Sequence, residues 1–194
     1  MVAVSLKKKW LKEVSSKYTN GIVFIAGNHD LTFDREVLYR DKAAYFDVHA
    51  NWTDEVAEGK PDWLKDILDI ELNPNVYYLE NNFIEVDQIK IWGSPISPTF
   101  GYGWAFNKDR GSEINEVWNH IPNDTDIVIT HSPIYGYCDK TANTNENVGC
   151  EQLYHRLKEV KPYLHFSGHI HEDYGYKQTN WGYAFNGCNC NLRY

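Results

Sequence analysis

The stretch from Tyr163 to Glu172 reads Tyr-Leu-His-Phe-Ser-Gly-His-Ile-His-Glu, so an apolar run passes straight into two imidazoles one residue apart. Neutral imidazole nitrogen binds zinc, manganese, iron and nickel, which makes His169 and His171 candidate metal ligands. On a regular strand the two side chains would point to the same side, and Gly168 ahead of them lets the backbone turn without a Cβ clash. An isolated His-x-His is more often an ordinary surface pair. Here two other apolar runs end in the same way. Ile22 to Ala26 delivers Gly27-Asn28-His29-Asp30, and Asp126 to Thr130 delivers His131-Ser132-Pro133. In open α/β sheets, side chains at the carboxyl ends of adjacent parallel strands converge above the sheet, whatever their separation in sequence. Asn28, His29, His131, His169 and His171 therefore belong to one expected rim.

The remaining pattern supplies the elements that must hold that rim. Leu6, Trp10, Leu11 and Val14 recur at helical spacing, predicting an amphipathic helix over roughly residues 5 to 17. The run Ile22 to Ala26 is continuously apolar, as in strands buried in parallel sheets. Residues 31 to 60 read as a surface insertion with short helices, and Pro61 opens a helix to about Leu72. Val76–Leu79, Phe83–Val86 and Ile89–Trp92 read as a small meander, with turns at Asn81-Asn82 and Asp87-Gln88. Gly93 to Gly103 has loop composition. A helix follows over Gly111 to His120, and Gly149 to Val160 forms the last one, closed by Pro162. Residues 134 to 148 form a long polar loop, and Tyr174–Tyr176 with Trp181–Asn186 forms a final hairpin. The whole chain, residues 1 to 194, reads as one α/β domain.

Composition excludes several classes. With 42% hydrophobic and 15% aromatic residues the chain can bury a core, and no apolar run approaches the length of a membrane span. A cytoplasmic location without membrane attachment is the expectation. The formal charge of -8 disfavours duplex nucleic acid as a partner, although bound cations can reverse the sign inside a phosphate site. Cys138, Cys150, Cys188 and Cys190 include no Cys-x-x-Cys pair and read as free thiols. His49, His120, His155 and His165 lack a strand-end position and read as ordinary surface or core residues. Asp30 reads as a helix-start carboxylate or one that braces a ligand from behind, and Asp139-Lys140 as a solvated pair.

Gly-Asn-His-Asp at 27–30, Thr-His-Ser-Pro at 130–133 and Gly-His-Ile-His at 168–171 resemble, in the right order, the later motifs of the calcineurin-like metallophosphoesterases. Ile91-Trp92-Gly93-Ser94-Pro95, Trp104-Ala105-Phe106-Asn107, Pro133-Ile134-Tyr135-Gly136 and Gly168 to Glu172 resemble more narrowly the branch of cyclic-nucleotide phosphodiesterase-like MPPED proteins, the class III type. The resemblance covers nearly the whole chain. It implies an α+β sandwich with a four-layer αββα core, and a hydrolase acting on a phosphodiester or nucleotide-type phosphate. By the same resemblance Asn28, His131 and His169 hold one divalent ion, His171 contributes to a second, and His29 is a catalytic group beside the scissile phosphate. The cofactors implied are two divalent metal ions, with manganese, iron or zinc suited to nitrogen-rich ligands. Such a pair clamps a phosphate and lowers the pKa of a bridging water.

The family pattern opens with Asp-x-His and Gly-Asp elements, and neither stands ahead of Gly27. Those elements carry the bridging carboxylate, so the expected centre lacks carboxylates and the expected sheet lacks its amino-terminal strands. Three explanations remain open: a fragment, a separate chain that supplies the missing strands, or a fold that has abandoned catalysis. The corresponding functions are a metal-dependent phosphoesterase and, as the alternative, an inactive nucleotide- or protein-binding remnant.

Overall fold

The computed structural model describes residues 13–18, 20–30, 33–34 and 76–189. The expected helix from Pro61 to Leu72, and nearly all of the expected insertion over 31–60, lie outside these residues. The described residues divide between two compact units. The first contains β1 (Ile22–Phe24) and β2 (Val76–Tyr78), together with Gly101–Ala105; the second contains Ile25–Asn28, Leu79–Phe100 and the residues from Phe106 onward.

In the first unit β1 and β2 pair in parallel, Ile22 opposite Val76 and Phe24 opposite Tyr78. The Phe24 and Tyr78 rings meet at 5.2 Å, and Phe33 stands edge-on to Tyr78 at 5.5 Å. The anticipated three-strand meander is therefore corrected. Val76–Tyr78 takes a parallel partner, as a continuous apolar run does.

The second unit is built on six described strands in the order β3-β4-β7-β8-β10-β9. Strands β3 (Asn82–Val86) and β4 (Ile89–Ser94) form a hairpin whose turn residues Asp87 and Gln88 have φ 50 and 67. Two consecutive positive φ values define the turn that matches strand twist. The expected loop at Gly93 begins later than its composition suggests, because Gly93 and Ser94 still pair with Ile129 and Thr130. Within that loop Ser97–Pro98 (β5) pairs with Asn107–Lys108 (β6).

Strands β7 (Ile127–Thr130), β8 (Leu164–Ser167) and β10 (Tyr183–Asn186) run parallel beside β4, and β9 (Gly175–Gln178) closes the edge antiparallel to β10. Their period of two residues sorts the faces. Trp92, Val128, His165 and Ala184 line up across four strands and are all buried. Helix α1 (Ser112–Asn119) buries Ile114 and Trp118, and Trp118 meets Trp92 edge-on at 6.1 Å. Replacing Trp118 by Ala would remove that packing at a cost of about 3–5 kcal/mol. Helix α2 (Glu151–Val160) buries Leu153, Leu157 and Val160. It is capped by Cys150, whose Sγ accepts from the Leu153 amide, and it ends at Lys161 with φ 59, just before Pro162. The opposite sheet face carries Phe166, Phe185 and Tyr176 in one register row, with the rings of Phe166 and Phe185 stacked at 5.1 Å.

The fold is mixed α/β, organised on a multistrand sheet. Among the described residues no helix is long and apolar enough to cross a membrane.

Candidate metal centre

His131 is the first residue past β7, yet its backbone still belongs to the sheet. Its amide donates to the Ser94 carbonyl at 3.2 Å, and its carbonyl accepts from the Gly168 amide at 3.0 Å. The exits of β4, β7 and β8 are thus stitched together at one level. The ring lies across Gly27, where an added Cβ would stand 2.6 Å from Cε1, so only glycine allows this approach. In that position His131 Nε2–H donates to Asn28 Oδ1 at 2.7 Å, and Asn28 is buried. One residue earlier, the Thr130 hydroxyl donates to the Ser132 carbonyl at 2.7 Å and accepts from His165 Nε2–H at 2.8 Å. Burial lowers the His165 pKa to about 3, so this imidazole stays neutral and fixes the turn from below.

The second histidine pair departs from the expected geometry. Strand β8 stops at Ser167, and His169 has φ 70, so His169 and His171 do not share one strand face. The Ile170 amide donates back to the Gly168 carbonyl at 2.8 Å, which makes His169 the centre of a three-residue turn. A side chain with a Cβ in this region carries strain of about 1–3 kcal/mol. The turn puts the His169 ring between two neighbours, with centroids 4.7 Å from His131 and 4.7 Å from Phe100. His171 opens a separate single turn, His171–Asp173. His29 lies in the first unit, exposed, with its ring edge-on to Trp104 at 4.7 Å.

Three groups from three distant segments, Asn28, His131 and His169, are therefore adjacent at the carboxyl ends of parallel strands. The calcineurin-like phosphoesterase pattern matches residues 5–173. The chain belongs to that family. Metallophosphoesterase domain-containing protein 1 of Homo sapiens is 36% identical over 190 residues, 96% of this chain and 54% of that protein. A UPF0046 protein of Caenorhabditis elegans is 35% identical over 176 residues, 90% of this chain and 44% of that protein. The chain spans about half the length of these curated relatives. A solved crystal structure with 15% identity superposes with a TM-score of 0.56, covering 93% of this chain and 84% of that one, a likeness of fold. Calcineurin-like phosphoesterases use divalent metal ions, and membership supports a phosphoesterase-type function.

The donor set of this chain fits a single ion. Two ligands each about 2.0–2.2 Å from one cation stand about 3 Å apart when adjacent in its shell. The 2.7 Å between Asn28 Oδ1 and His131 Nε2 is close to that spacing. With His169 beside them, one amide oxygen and two imidazoles suit a borderline cation. Among the described residues no three His, Cys, Asp or Glu side chains form a group able to hold a metal, and the trio Asn28, His131 and His169 brings only two such side chains. Cys138 and Cys150 add none. Burial first, then the Asp173 carboxylate, raises the Cys138 pKa, and burial raises that of Cys150, keeping both protonated.

Phe100 and Thr130 were assigned no part in the site by sequence reasoning, and only their placement reveals one, whereas His165, read as an ordinary surface or core residue, is buried in the core. Asp139 corrects the expectation of a solvated pair with Lys140. It is fully buried, and its Oδ2 accepts from the amides of Gly136 at 3.0 Å and Gly149 at 2.9 Å, closing the loop after β7. Lys140 is exposed. His120 and His155 are exposed, as expected of surface residues, and His49 lies outside the described residues.

Proposed function

We propose that this chain carries the histidine-bearing half of a metal-dependent phosphoesterase that hydrolyses a phosphodiester or nucleotide-type phosphate at a dinuclear centre. The observation that supports the reading is the 2.7 Å approach of Asn28 to His131, with the His169 ring against the latter. Asn28, His131 and His169 would hold one divalent ion of manganese, iron or zinc, and His171 would contribute to a second. Such ions offset charge on the phosphoryl oxygens and lower the pKa of bound water. The donors present are neutral, so the carboxylates that a dication pair requires would come from elsewhere, for example a separate chain that also completes the sheet. Phe100 walls one side of the His169 ring. His29, exposed and able to donate, is the candidate to protonate the departing alkoxide. The substrate is a small phosphate ester or nucleotide, and neither duplex nucleic acid nor a membrane is a partner.

The all-neutral character of Asn28, His131 and His169 favours a second reading, a noncatalytic nucleotide- or protein-binding remnant. One experiment separates them. Hydrolysis of bis(4-nitrophenyl) phosphate is followed with Mn²⁺, for the chain and for His131→Ala. Manganese-dependent turnover that falls to background in the variant supports the phosphoesterase. Nucleotide binding without turnover supports the remnant, and turnover untouched by His131→Ala sinks the assignment of the site.

A further inference from the structure

Asn186 ends β10, the fourth parallel strand of the sheet, and is 1% exposed. Its carboxamide is fully used. Nδ2 donates to the Ile170 carbonyl at 2.7 Å and to the Cys138 carbonyl at 3.0 Å, while Oδ1 accepts from the Cys188 amide at 3.0 Å. The orientation of the amide follows from these partners, since a flip would set its oxygen against two carbonyls and its nitrogen against an amide.

The partners share a feature. Ile170 stands between His169 and His171, and its amide closes the turn that holds His169 at φ 70. Cys138, itself at φ 55, lies in the loop that leaves His131, the loop closed by buried Asp139. A single buried amide therefore ties the connection after β7 to the connection after β8. The strained turn at His169 lies past the end of β8 at Ser167 and is joined to the exit of β7 through the Gly168 amide. Relaxing it to an extended conformation would swing the His169 ring away from His131. A buried donor that loses its carbonyl is left unsatisfied, at a cost comparable to the strain it restrains.

We infer that Asn186 is a positioning residue that holds the Gly168–His171 segment in its strained turn and so presets His169 beside His131 for cation binding. The inference rests on the reading of His131 and His169 as ligands of one ion. The role is structural at one remove, as outer partners of metal-binding histidines are, and loss of such partners lowers metal affinity about 10–100-fold.

The test uses the full chain, Zn²⁺ as probe, and the variants Asn186→Ala and Asn186→Asp, each of which removes both donated hydrogen bonds. Expected are a Zn²⁺ dissociation constant raised about 10–100-fold at a temperature where circular dichroism shows the variant folded, and loss of the nuclear Overhauser contact between the His131 and His169 rings. A folded variant with unaltered affinity and an intact ring contact overturns the inference. Where neither variant folds, amide hydrogen exchange of the unaltered chain decides. Zn²⁺ then increases protection at the Cys188 and Ile170 amides together if Asn186 couples them to the site, and unchanged protection at Cys188 overturns the coupling. Failure of the unaltered chain to bind Zn²⁺ at millimolar concentration would sink the ligand reading beneath this inference as well, whereas Zn²⁺ binding insensitive to Asn186 sinks the inference alone.

Discussion

The exits of β7 and β8 each present an imidazole to the same small space, and they do so by opposite means. At β7 the sheet itself continues. His131 keeps backbone hydrogen bonds to Ser94 on one side and Gly168 on the other, and its turn is held from below by Thr130 and His165. At β8 the ladder ends at Ser167, and His169 occupies a left-handed conformation fastened by a side-chain amide. The first imidazole is placed by register, the second by stored strain. Register places a residue without local cost, whereas strain persists only where the surroundings over-determine it. The supports also differ in chemistry, an imidazole at β7 and an amide that does not titrate at β8.

The largest expected contrast is with pH. The folded-state pKa of His165 is lowered from 6.5 to about 3. As pH falls below 6.5, the unfolded chain takes up a proton that the folded chain refuses. Stability supported at β7 is therefore intact above that value and lost progressively towards pH 3, at about 1.4 kcal/mol per pH unit from this group. His165→Gln retains a donor to Thr130 but does not titrate. Urea unfolding between pH 4 and 7 should show a shallower acid dependence for that variant by close to one proton, and parallel curves would remove His165 from the account.

A smaller effect is expected from Gly27→Ala. The new Cβ would meet His131 Cε1 at 2.6 Å and force the ring off Asn28. Overpacking of this kind costs about 1–3 kcal/mol, and Zn²⁺ affinity should fall with it; wild-type affinity in calorimetric titration would show that the ring has room to slide. The smallest and most discriminating change is His169→Gly. Glycine adopts φ 70 without steric cost, so stability should hold level or rise by up to about 1 kcal/mol. His131→Gly relieves no strain and should lower the melting temperature. Equal losses at both positions would erase the distinction between the two exits.

Much of this was legible from residue patterns. The apolar runs before Asn28, His131 and His169 read as strands and contain strands β1, β7 and β8. The two-residue turn at Asp87-Gln88 was readable because a tight hairpin is set by local conformation. Other features were not. His-x-His suggested one strand face, because the period of two assumes that the strand continues, and nothing local to Gly168 shows that β8 stops at Ser167. Asn186 was read merely as the end of a hairpin. A signal existed: its strand runs parallel to β8 as well as antiparallel to β9, so the strand-end argument that selected His131 also applies to Asn186. Asp139 looked solvated because charge and turn composition usually mean exposure, whereas its burial depends on Gly136 and Gly149 folding back around it.

The sequence alone determined most of the segments that form strands, which of them end in ligand-capable groups, and the family to which those motifs point, since periodicity and motif chemistry are properties of neighbouring residues. The tertiary structure decided how those groups are held: the ring of His131 over Gly27, the left-handed turn at His169, and one amide on Asn186 joining segments 48 and 16 residues away. Burial and hydrogen-bond partners arise between residues far apart in the chain, and strain survives only where such partners enforce it.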